Sequence, residues 1–246
     1  MRAINQFNEH YTGEIPDQGR AWSRIESRFV SRIYGWMFLG LVVTAITSLG
    51  VASSESAIRL FLGNPFLFYG ALVAEFALVL GISSGIDRIS AVGAKFLFLV
   101  YSALNGLSFS VIFLAYSLPS VGNVFLPTAG MFGGLSIFGT LTRKNLSGVG
   151  TFFGMGLWGL ILFGIVNIFV RSESLNFGLS VAGVVVFAGL AAFDAQKIRG
   201  LAREYSSSAT VQGDVEKAAI FGALTLYLDL INLFLSLLRI FGKRRE

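Results

Sequence analysis

The chain contains no cysteine and a single histidine, His10. The first absence rules out disulfides, thiolate catalysis and Cys-ligated zinc. The second removes intramembrane Ser-His proteolysis and the imidazole ligands on which metal hydrolases rely. Charge is also scarce, 13% of residues against 54% hydrophobic, and the mean hydropathy of +0.71 lies far above that of a soluble domain. Proline is limited to four residues, and no Pro- or Ser-rich linker divides the chain. A Schiff-base pigment would need a lysine within the last apolar run, but Lys217 stands only at its entrance. The first thirty residues are too polar for the apolar segment of a signal peptide. No enzymatic inventory is left.

What is present is apolar length. A transmembrane helix needs about 20 predominantly apolar residues, and seven runs qualify, near 33–52, 65–86, 92–116, 124–142, 149–170, 177–198 and 219–240. The expected fold is an all-α integral membrane bundle of seven helices, with residues 33–241 as one transmembrane domain. Residues 1–32 form an N-terminal tail in which Arg20, Arg24, Arg28 and Arg32 recur every fourth residue, away from Trp22, Ile25 and Phe29. That pattern predicts a short amphipathic helix at the membrane surface. Residues 242–246 are a short basic tail, and the longest connection is expected at 199–217.

Basic residues mark orientation rather than nucleic-acid binding. With the N-terminus cytoplasmic, thirteen Lys and Arg fall inside, including Arg88, Arg143, Lys144 and Lys197, and only Arg59 and Arg171 fall in external loops. Seven spans then send the basic C-terminal tail outside, against that rule. The 29 glycines fit close helix packing in lipid, where small residues let backbones approach.

Two aspartates interrupt the last two runs, Asp194 in SVAGVVVFAGLAAFDAQKI and Asp229 in AAIFGALTLYLDLINLFLSLLRI. A carboxylate at membrane depth costs about 2.5–3.5 kcal/mol or more, so each is a candidate for an ion or proton path. Thr225, Asp229, Asn232, Ser236 and Arg239 recur at spacings of four, three, four and three, which puts them on one helical face that should look onto protein or water. Glu75 is a third acid in an apolar run, with Asn105, Ser102 and Ser108 as further polar lining. Acids without an intramembrane base favour a cation path. Asp194, Asp229, Glu75 and backbone carbonyls could together offer the oxygen ligands that calcium prefers. Counted from the membrane boundaries that the runs suggest, Asp194 lies about 27 Å along its helix and Asp229 about 15–16 Å along the next. They can meet only if the helices are offset. If they meet, they titrate as a pair sharing a proton.

The segments RFVSRIYGWMFLGLVVTAITSLG, FGGLSIFGTLTRKNLSGVGTFFGMGLWGLI, FAGLAAFDAQKI and LYLDLINLFLSLLRI are similar, in order, to the successive blocks of the Bax inhibitor family. The resemblance runs from Arg28 to Phe241, and FDAQKI and LYLDLINLF are its specific part. It implies a seven-helix bundle with the last helix enclosed by the others, and a pH-sensitive calcium leak governed by two aspartates, which match Asp194 and Asp229. It also implies a bacterial inner-membrane location and, for some members, modulation of a membrane-bound ATP-dependent protease. Two features depart from the family pattern. TRKNLS carries Asn145 where an acid is usual, and the second run has no interior arginine such as some leak-type relatives use as a latch.

Two functions are therefore expected. One is a pH-gated leak for calcium or another cation, with Asp194 and Asp229 as the sensor and Asp229, Asn232, Glu75 and Asp194 along the path. The other is a non-conducting regulator that binds a membrane protease or another membrane protein. Neither needs a cofactor, and neither is an enzyme.

Overall fold

The computed structural model describes residues 18–86, 88–207 and 212–245, with only the backbone for residues 18–25, 206–207 and 212. Arg2 and His10 lie outside the described residues, as do the side chains of Arg20, Trp22, Arg24 and Ile25. Eight helices follow one another among the described residues: α1 (Gln18–Ala52), α2 (Glu55–Leu62), α3 (Pro65–Gly85), α4 (Ala91–Ala115), α5 (Leu118–Leu141), α6 (Ser147–Val170), α7 (Glu173–Ser207) and α8 (Gln212–Phe241). All except the short α2 are long and apolar enough to cross a membrane. Seven spans were expected, and seven are found.

Helix starts follow the sequence. Ser54, Asn64 and Ser90 cap α2, α3 and α4 by accepting from the backbone N–H of Ala57, Phe66 and Gly93. Such side chains satisfy donors that the first helical turn leaves unpaired. Arg171 ends α6 in the left-handed conformation, φ 53°, and with Ser172 forms the whole link to α7.

Three boundaries differ from expectation. The segment that carries Arg20, Arg24, Arg28 and Arg32 is continuous with the first span as one 35-residue helix. Helix α5 starts at Leu118 rather than near 124. Pro119 sits in its first turn, where a missing N–H costs nothing, so Pro, Ser, Gly and Asn that read as a loop are helical. The long connection at 199–217 is mostly helix as well: α7 runs on to Ser207 and α8 begins at Gln212.

Helix α8 is the most buried span and packs against α1, α4, α5 and α7. Leu226, Tyr227 and Leu233 on it are fully enclosed. Helix α6 packs chiefly on α7 and α3 chiefly on α4, and both turn large apolar side chains such as Phe76, Trp158 and Phe169 outward, as helices facing lipid do. Small residues set the closest approaches. A Cβ at Gly139 would run into the Ala192 carbonyl, one at Gly150 into the Phe193 ring, and one at Gly106 into the backbone of Thr44. At the end where α7 and α8 meet, Lys95 pairs with Glu216 at 2.5 Å and Arg203 with Glu26 at 3.6 Å.

Candidate functional site

Asp194 and Asp229 meet. Asp229 is 4% exposed, and its carboxyl faces that of the half-buried Asp194 on the neighbouring helix. A carboxylate only accepts hydrogen bonds, so one member of such a pair must carry a proton to donate. Oδ2 of Asp229 is buried and has no donor among the described groups. Lys197 stands one turn beyond Asp194 on α7 and sets a positive charge on the Asp194 side of the pair.

The offset problem disappears once the true helix ends are known. Asp194 stands thirteen residues before Ser207, and Asp229 seventeen after Gln212. Measured from the tip of one antiparallel hairpin, their depths differ by about 6 Å, roughly one helical turn, which tilt and side-chain reach can absorb.

Glu75 does not join them. Among the described residues no three Asp, Glu or His side chains converge as a metal site, so a calcium site built from all three acids is not formed. The reason is position: α3 packs on α4 rather than on α7 or α8, and the partners of Glu75 come from α4. Ser108 Oγ donates to Glu75 Oε1 at 2.5 Å, and Asn105 Nδ2 donates to Oε2 at 3.1 Å. Tyr227 of α8 then donates to Asn105 Oδ1 at 2.9 Å, and its hydroxyl lies 2.6 Å from Thr44 Oγ1 on α1. Four helices are thus joined by one polar chain that runs from Glu75 through Asn105 and Tyr227 to Thr44.

Glu75 also lines a cavity of about 820 Å³, together with Asn105, Ser108, Asn232, Ser236 and Arg239. Neither Asp194 nor Asp229 lines it. The polar stripe on α8 is therefore divided, its later residues facing the cavity and Asp229 facing α7. Thr225, Asn232 and Ser236 donate to carbonyls of their own helix one turn back, Phe221, Leu228 and Asn232. This satisfies them locally and leaves Asp229 and Arg239 as the stripe's ionisable groups.

Sequence reasoning missed Tyr227, Thr44 and Gln196. Gln196 accepts from the Leu146 N–H at 2.9 Å and donates to the Lys144 carbonyl at 2.8 Å, stapling the α5–α6 turn to α7. Arg199 adds a bond to the Thr140 carbonyl, and Asn145 accepts from the Ser147 N–H. A tyrosine in mid-membrane could have been noticed, because a buried phenol needs a partner.

Fold and site together define a multi-pass helical membrane protein with two carboxyls paired between its last two spans. The chain belongs to the Bax inhibitor-1 family: residues 26–246 match the family described as "Inhibitor of apoptosis-promoting Bax1". It is 42% identical to the inner membrane protein YbhL of Escherichia coli over 217 residues, 88% of this chain and 92% of that protein. An uncharacterised protein of Borreliella burgdorferi is 38% identical over 222 residues, 90% of this chain and 94% of its own length. An uncharacterised membrane protein of Streptococcus pyogenes is 36% identical over 219 residues, 88% and 93% of the two chains.

Proposed function

We propose that this protein is a passive cation leak, for calcium, whose conductance responds to pH through the Asp194–Asp229 pair. The observation that carries the reading is the pairing of the buried Asp229 carboxyl with the half-buried Asp194 carboxyl, with Asp229 Oδ2 buried and lacking any other partner. Such a pair is intact with one proton. Without it, two negative charges face each other where water cannot screen them. The helices that carry the pair must then shift or take up a cation, which is the behaviour of a protonation switch. The cavity with Glu75 and Asn232 is the vestibule from which a cation approaches, and family membership supports the same assignment. In the orientation set by the basic loops, the N-terminus is cytoplasmic and the vestibule opens toward the other side of the inner membrane.

Calcium flux into proteoliposomes holding the purified protein, read from pH 5 to 8, tests this. Wild type should show a flux that titrates, and Asp229→Asn should lose the pH dependence. Folded protein with no flux above empty liposomes at any pH would favour the alternative, a non-conducting regulator of a membrane-bound protease.

A further inference from the structure

A cleft of about 590 Å³ lies between α1 and α5, and neither the paired aspartates nor Glu75 lines it. Its walls are apolar for most of their length, with Leu41 and Phe125 at one end and Leu230 of α8 behind. The other end is different. Tyr34, Ser136 and Thr140 line it. Ser136 is 3% exposed, yet its hydroxyl oxygen completes no hydrogen bond. A buried hydroxyl left unpaired costs about 1–3 kcal/mol, so this group is one that a bound molecule would satisfy. Arg199 reaches the same end from α7, bonded to the carbonyl of Thr140. That single bond occupies one of the five donors of a guanidinium. Arg143 and Lys144 follow directly after α5.

Length and chemistry choose the occupant. From Val30 to Leu41 the cleft follows α1 for eleven residues, about 16 Å at 1.5 Å per residue. That is about half of a hydrocarbon core of about 30 Å, the depth of one leaflet. A site one leaflet deep, apolar at the bilayer centre and hydroxyl-lined and cationic at the surface, matches a phospholipid. We infer that the α1–α5 cleft is a binding site for an anionic phospholipid of the leaflet on the α1 N-terminal side. Its acyl chain lies along Leu41, Phe125 and Leu230, and its phosphate end meets Tyr34, Ser136 and Arg199. In the orientation proposed above that leaflet is the cytoplasmic one.

Native mass spectrometry of the full-length protein, released from vesicles of equal phosphatidylglycerol and phosphatidylcholine, tests the site. Wild type should keep one phosphatidylglycerol in at least tenfold preference. Gly133 lines the cleft and a Cβ there meets nothing within 4 Å, so Gly133→Leu fills the space without straining the backbone and should cut retention of either lipid about tenfold. Gly70→Leu, equally open but exposed on α3, should change nothing. Arg199→Gln should reduce the preference for phosphatidylglycerol several-fold, and Tyr34→Phe should weaken retention without affecting folding. Equal retention of both lipids by wild type, or equal behaviour of Gly133→Leu and Gly70→Leu, overturns the inference.

Discussion

Tyr227 and Asn105 are 122 positions apart in the chain and joined by a 2.9 Å hydrogen bond that ties the most buried helix to the ligand shell of Glu75. Because Asn105 also donates to Glu75, the bond fixes which way its amide points. Tyr227→Phe should destabilise the protein by about 1–3 kcal/mol, the cost of leaving buried partners unsatisfied. Asn105→Ala should cost a similar amount. The double variant should fall short of the sum by about 0.5–3 kcal/mol, as contacting residues do. Thermal unfolding of the four proteins in one detergent measures the coupling.

Under the proposed switch a shared proton holds the two aspartates in contact, so wild type should lose thermal stability as rising pH strips it. Asp194→Asn with Asp229→Asn carries no charge to repel and should unfold at a temperature independent of pH over the same range. Unfolding scans at pH 5, 6, 7 and 8 would show it, and parallel curves for the two proteins would refute it.

Gly139 has no room for a side chain, since a Cβ would strike the Ala192 carbonyl. Gly139→Val should cost about 1–3 kcal/mol, the range for overpacking. Gly130→Ala, on the same helix and with open space around it, should be neutral or gain a few tenths of a kcal/mol from helix propensity. The difference between the two thermal shifts separates close packing from a general intolerance of change.

The Gln196 staple predicts a local effect. Gln196→Ala leaves the Leu146 N–H and the Lys144 carbonyl without their side-chain partner and frees the turn that carries Arg143 and Lys144. Limited trypsin digestion should cut there several-fold faster than in wild type, with the melting temperature moving little.

At the far end of the chain, the Lys243 N–H donates to Ser120 Oγ and the Arg245 N–H to the Ala115 carbonyl. The tail is thus fastened over the α4–α5 turn. With no native cysteine, single replacements report topology without background. A thiol placed at Lys243 should react with an impermeant reagent only from the membrane side opposite to one placed at Lys144, and labelling of both from the same side would contradict seven crossings.

Seven helices were legible because apolar runs of spanning length have few alternatives in lipid. Asp194 and Asp229 were legible because ionisable groups in such runs are rare. What the pattern hid was of two kinds. Polar helix starts, such as the Pro, Ser and Gly near 118–122, look like loop until the first-turn geometry is seen. Long-range partners leave no local trace: Glu75 was grouped with the aspartates on chemistry alone, whereas its ligands are Asn105 and Ser108 of the adjacent helix. Tyr227 passed as one more apolar residue because only its hydroxyl is polar.

The hairpin of α7 and α8 extends past the carboxyl pair by thirteen and seventeen residues, an arm of about 20–25 Å. The Gly139–Ala192 approach sits two residues from Asp194 and leaves no slack, so it is the natural pivot. A separation of one or two ångströms at the aspartates would be multiplied toward the tip. There the arm is moored to α4 by Lys95–Glu216 and to α1 by Glu26–Arg203. Salt that loosens those moorings would therefore act on the same lever as the proton, from its opposite end.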